Sequence, residues 1–101
     1  MNVYSVYDLK GECYEGLFAF VDDALAVRFF DSITFRQESR YLAYPEDFVL
    51  VSVGRFDDRS GSLAGCEGGH RMICSALDRK VFFEVQKKLF DEKVEKEISH
   101  A

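Results

Sequence analysis

The 101-residue chain has no tryptophan, one proline, three cysteines and two histidines. Three cysteines leave one thiol over in any closed disulfide framework, so reduced thiols in a cytoplasm are the expectation. No apolar run approaches the roughly 18 residues of a membrane-spanning helix. Nor does Met1-Asn2-Val3-Tyr4 lead through basic residues into an apolar stretch, as a secretory leader does. Five of the seven glycines lie between positions 54 and 69, so flexible punctuation is local. The chain also lacks a G-x-x-x-x-G-K-[ST] phosphate loop, a G-x-S-x-G elbow and an H-E-x-x-H pair. Nucleotide hydrolysis and the common hydrolytic chemistries therefore have no sequence support, and the expectation is a non-enzyme with no cofactor and no small-molecule substrate.

What is present is dense in apolar and aromatic groups: 48% hydrophobic residues, ten Phe and five Tyr. At this length one domain spanning 1–101 is expected, and self-association would help so small a core. The net charge of −5 is unevenly placed, with seven basic and twelve acidic residues in 1–77 against six and six in 78–101. An acidic body repels phosphate backbones, which disfavours a sequence-independent DNA coat.

Val3 to Tyr7, β-branched and aromatic, predicts a strand, and Cys13 to Phe20 a second one, with Leu17 and Ala19 on one face and Phe18 and Phe20 on the other. Asp22-Asp23 suits the cap and first turn of a helix from Ala24 to about Phe35, whose stripe is Leu25, Phe29 and Ile33 widened by Ala26 and Phe30. Gln37 to Glu46 is a polar connection in which Pro45 disfavours helix at Tyr44. The nearly continuous apolar run Phe48 to Phe56 predicts a central strand, and Asp57 to Ser62 a turn. After the glycine-rich stretch 63–69, Arg71 to Leu77 predicts a short strand. Asp78 then caps a helix from Arg79 to about Ile98 with Phe82, Val85 and Leu89 facing inward, while 91–101 forms a polar end reaching into solvent or onto a partner. The fold class is α+β: a small antiparallel or mixed sheet of about four strands with two helices packed on it.

Three sets of residues suggest chemistry. Cys66-x3-His70-x3-Cys74, with Cys13 as a fourth ligand, carries zinc-ligand types, but the spacing is not that of a zinc knuckle and Gly68-Gly69 opposes the helix that i,i+4 ligands need. No metal is expected. Arg28, Arg36, Arg40, Lys80, Lys87 and Lys88, with Tyr41 and Tyr44 to stack on bases, are the candidate contacts to single-stranded DNA, diluted by interleaved acids. Phe90, Val94 and Ile98 on the last helix are the candidate protein interface.

Val3-Tyr4-Ser5-Val6-Tyr7-Asp8, Tyr44-Pro45-Glu46-Asp47-Phe48 and Gly54-Arg55-Phe56-Asp57-Asp58 with Gly61 together resemble the small nonstructural protein of gokushoviruses, a branch of the single-stranded DNA microviruses. The resemblance covers residues 1–61. Phe48 stands where that family often has Tyr, and neither Cys66–Cys74 nor the last helix matches a family pattern. It implies a phage accessory role in genome replication, at the switch to single-stranded DNA synthesis, in the host bacterial cytoplasm. The expected partners are a second copy or a phage or host replication protein, with single-stranded DNA as the alternative and no membrane.

Overall fold

A computed structural model describes the backbone of residues 1–99 and the side chains of 1–97. Strand β1 (Asn2–Asp8) pairs antiparallel with β2 (Cys13–Phe20) on one side and β3 (Phe48–Phe56) on the other. The far edge of β3 is shared: β4 (Leu63–Gly65) pairs its C-terminal end and β5 (Arg71–Ser75) its N-terminal half, both antiparallel. Helices α1 (Asp23–Thr34), α2 (Arg40–Ala43) and α3 (Ala76–Ser99) complete an α+β architecture. β3 is central, as its unbroken apolar run requires. The polar connection of 37–46 is more ordered than its composition suggests: Ser39 caps α2, and Pro45 opens a 3-10 turn over Pro45–Asp47 that feeds β3.

The core lies between the sheet and the helices. Tyr4, Val6, Phe48 and Leu50 pack under Ala26 and Phe30 of α1 and Ala76 at the start of α3. The α1 stripe is turned by one residue, about 100°, from the expected one. Ala26, Phe30 and Thr34 are buried while Leu25 is 41% exposed. Phe29 sits to the side, with its ring 4.6 Å from Phe18 and 5.4 Å from Phe20, so strand β2 sets the phase of the helix.

α3 departs from expectation twice. It begins at Ala76, because Ser75 is its cap: the Ser75 Oγ accepts from the Asp78 amide at 3.0 Å and Asp78 Oδ2 accepts from the Ser75 amide at 3.0 Å, a reciprocal capping box. Its expected inward stripe also faces out, since Phe82, Val85 and Leu89 are 44, 50 and 56% exposed. Only its first two turns lie against the body, where Arg79 donates to both Asp31 carboxylate oxygens at 2.8 Å and the Phe83 ring meets Phe35. A helix of 24 residues is about 36 Å long, and every side chain from Val81 to Phe90 is exposed. The rest of α3 extends the molecule to 60 Å along its longest axis.

Candidate protein-association surface

Every residue from Val81 to Phe90 is exposed, and six of these ten are large and apolar: Val81, Phe82, Phe83, Val85, Leu89 and Phe90. An apolar helix in water is unusual, because monomeric proteins rarely leave contiguous apolar patches of this kind uncovered. Phe90 is the most exposed of the six, and Val94 continues its stripe with partial burial. The side chain of Ile98, the third residue of the expected interface, lies outside the described residues. At the foot of the helix the Phe83 ring meets Phe35 edge-on at 5.1 Å, and Phe35 and Leu42 are 38% and 36% exposed, so the apolar surface runs from α3 onto the body.

The structure disperses the expected DNA-contacting set. Arg40 is ion-paired to Glu15 beneath β2 and lies over the Tyr41 and Phe48 rings. Tyr41 is half-buried and donates to Glu15 Oε2 at 2.8 Å, and burial followed by that hydrogen bond pushes its hydroxyl up to about 12. This ring already packs on Phe48 at 4.7 Å, which removes it as a base-stacking platform. Arg28 and Arg36 are exposed at separate points around α1, and Tyr44 is exposed beside the 3-10 turn. Arg71, not among the expected contacts, is held by Asp23, which also accepts from Tyr4 Oη at 2.8 Å. Lys80, Lys87 and Lys88 share α3 with the exposed phenylalanines.

The cysteines do not converge. Cys74 packs against the core on the helical side, where burial pushes its thiol up to about 11 and keeps it protonated and unreactive. Cys66 lies on the opposite face, donating to the Ser52 carbonyl at 3.6 Å, and Cys13 is exposed at the start of β2. Among the described residues no three His, Cys, Asp or Glu side chains form a metal-ligand set. Cys66 and His70 instead line a cleft of about 410 Å³ on the open face of the sheet, with Ser5, Tyr14, Leu17 and Val53. His70 Nδ1 and Tyr14 Oη are 2.6 Å apart at its rim. Sequence reasoning missed this cleft, because the 63–69 segment that borders it reads only as a glycine-rich stretch. Asp57 accepts from the Arg59 and Ser60 amides, and those two donors hold its carboxyl below the usual range.

The described residues thus form an all-antiparallel α+β body from which one long helix projects. The profile of the Phage ORF5 protein family matches residues 1–79, and the chain belongs to that family. It is thus a bacteriophage nonstructural protein, as the gokushovirus resemblance implied, and the match runs past residue 61 to the first turn of α3. The protein called "Protein ORF5" of Chlamydia phage 1 is 31% identical over 80 residues, which are 75% of this chain and 83% of that one. No solved structure matches. Within the described residues no helix is long and apolar enough to cross a membrane.

Proposed function

We propose that the protein is a non-catalytic phage accessory factor that acts by protein–protein association through α3, in the host cytoplasm, in support of viral genome replication. The observation that carries this reading is the exposed apolar segment Val81–Phe90 on a helix that meets its own body only at the root. Burying such residues stabilises a complex by about 25 cal/mol per Å² of apolar surface, before the costs of association. The acidic body agrees with it, since it supplies no continuous basic track for phosphates.

A second reading has one specific observation in its favour. Lys80, Phe83, Lys87 and Phe90 follow one another at i, i+3, i+7 and i+10, which lines cations and aromatic rings along one helical face, the composition of a single-strand contact. Fluorescence anisotropy of a labelled single-stranded oligonucleotide, at low and physiological salt with a duplex control, separates the two. The expected result is no saturable binding at micromolar protein. Saturable, salt-sensitive binding that prefers single strands and falls in Lys87→Glu overturns the association reading in favour of DNA.

A further inference from the structure

We infer that the free edge of β2 and the open face of the sheet beside it form a second protein-binding site, which takes an extended peptide carrying an uncharged aromatic side chain between basic flanks. β2 ends the sheet on its side, so the outward N–H and C=O groups of its backbone have no strand partner among the described residues. Cys13–Phe20 contains no Lys, Arg or Pro to guard that edge. Its one charged side chain, Glu15, is drawn to the helical side by Arg40 and Tyr41. The ladder is irregular at Glu15 and Gly16, whose carbonyls both accept from Ser5 Oγ, at 3.2 and 2.7 Å. Beyond that point Phe18, Ala19 and Phe20 stand in regular register with β1, a straight stretch along which an added strand can pair.

Seats for the peptide's side chains lie beside this edge. The cleft of about 410 Å³ is walled on the β2 side by Tyr14 and Leu17, and past Leu17 two hollows of about 240 Å³ each run on to Leu63 and Ala19. Neighbouring side chains on one face of a strand are about 7 Å apart, so one enters the cleft while the next falls beyond Leu17. Among the described residues no Asp, Glu, Lys or Arg lines the cleft, which suits an uncharged group and offers a phosphate no cation. Tyr7, Tyr14 and His70 gather at its end with ring centroids 4.8 to 5.5 Å apart. A Trp or Tyr ring packs edge-on or offset against such rings, and its N–H or O–H reaches the Tyr14–His70 pair. The flanks follow from the charges that bound β2. Of the five acids in 8–23, Glu15 and Asp23 are ion-paired with Arg40 and Arg71, which leaves Asp8, Glu12 and Asp22 against Lys10. Basic residues at the two ends of the peptide complement them.

Nitrogen–proton correlation NMR on the full chain, titrated with the blocked heptapeptide Lys-Val-Thr-Trp-Thr-Val-Lys, provides the test. Saturable shifts are expected at the amides of Leu17 to Val21 and of Gly65 to His70, with a Kd of about 0.1–1 mM. Peptides with Ala or Glu in place of Trp are expected to bind about tenfold more weakly or worse. Two further peptides carry N-methyl groups on alternate amides, in opposite phase. One is expected to lose binding and the other to keep it, because an added strand turns only every second amide toward its neighbour. On the protein side, Gly65→Leu and Leu17→Glu are each expected to weaken binding by about tenfold. A Cβ at Gly65 meets no atom within 4 Å and Leu17 is 64% exposed, so both variants are expected to keep the far-UV circular dichroism of the wild type. Absence of saturable shifts up to millimolar peptide overturns the inference, as do shifts confined to another surface. Equal binding by the two N-methylated peptides, or folded variants that both bind like the wild type, overturns it as well. The site shares no residue with Val81–Phe90, so its failure leaves the reading of α3 standing.

Discussion

Tyr41 shows how one side chain is committed to structure. Its hydroxyl is half-buried against Glu15, and the folded state holds its proton to about pH 12 against an ordinary value of 10.0. An acid whose neutral form is favoured by folding contributes stability that is fully present below the unfolded value and lost as pH rises through the folded one. Stability is therefore expected to fall between about pH 10 and pH 12, and urea titrations across that window are expected to show a shallower fall in Tyr41→Phe, which costs about 1 kcal/mol at neutral pH through the lost hydrogen bond. An equal slope in the two proteins assigns the alkaline loss elsewhere. Phe30, at 0% exposure beneath the helical layer, is a purely apolar case, and Phe30→Ala is expected to cost about 3–5 kcal/mol in the same measurement. For Asp23 the sign is opposite. The Tyr4 hydrogen bond, with Arg71, holds its carboxyl below 3.8, so its contribution is present above that value and lost as pH falls further.

At the scale of elements, the Ser75–Asp78 capping box decides where α3 begins, and Ser75→Ala is expected to cost about 1 kcal/mol, seen as a lower urea midpoint with an unchanged slope. Loss of the cap alone does not free the helix root, because Arg79 remains on Asp31. Strand β3 was legible in the sequence because nine residues with hardly a polar interruption have one good place, a paired and covered position. The phase of α1 was not, since two overlapping apolar repeats fit it and the deciding position, Thr34, is polar and buried with its Oγ1 unpartnered. The facing of α3 was not legible for a different reason. A period of three and four records that Phe82, Val85 and Leu89 share a side of the helix, but not whether that side meets its own sheet or another chain. The DNA candidates fared according to reach: a count of arginines does not show that Arg40 is consumed by Glu15. The open-face cleft escaped because its walls come from β1, β2, β3 and the 65–70 loop, which only the strand order brings together.

For the whole molecule, the separation between body and projecting helix makes a prediction about cooperativity. Among the described residues all ten of the buried core hydrophobics lie between Val3 and Ala76, and α3 touches the body through Arg79 on Asp31 and Phe83 on Phe35. The family match ends at the same place, residue 79. A chain ending at residue 80 therefore keeps its core, its five strands, the capping box and the Arg79–Asp31 pair, while losing the apolar helix. It is expected to unfold in one cooperative transition, at a midpoint within a few degrees of that of the full-length chain at its lowest concentration and independent of protein concentration. The intact wild-type chain is expected to melt higher as its concentration rises, because mass action adds the association free energy to the stability of the folded form. Differential scanning calorimetry over a hundredfold concentration range reads both. A truncated chain that fails to fold would make α3 beyond residue 80 part of the folding core, and an intact chain whose midpoint ignores concentration would separate the exposed helix from self-association altogether.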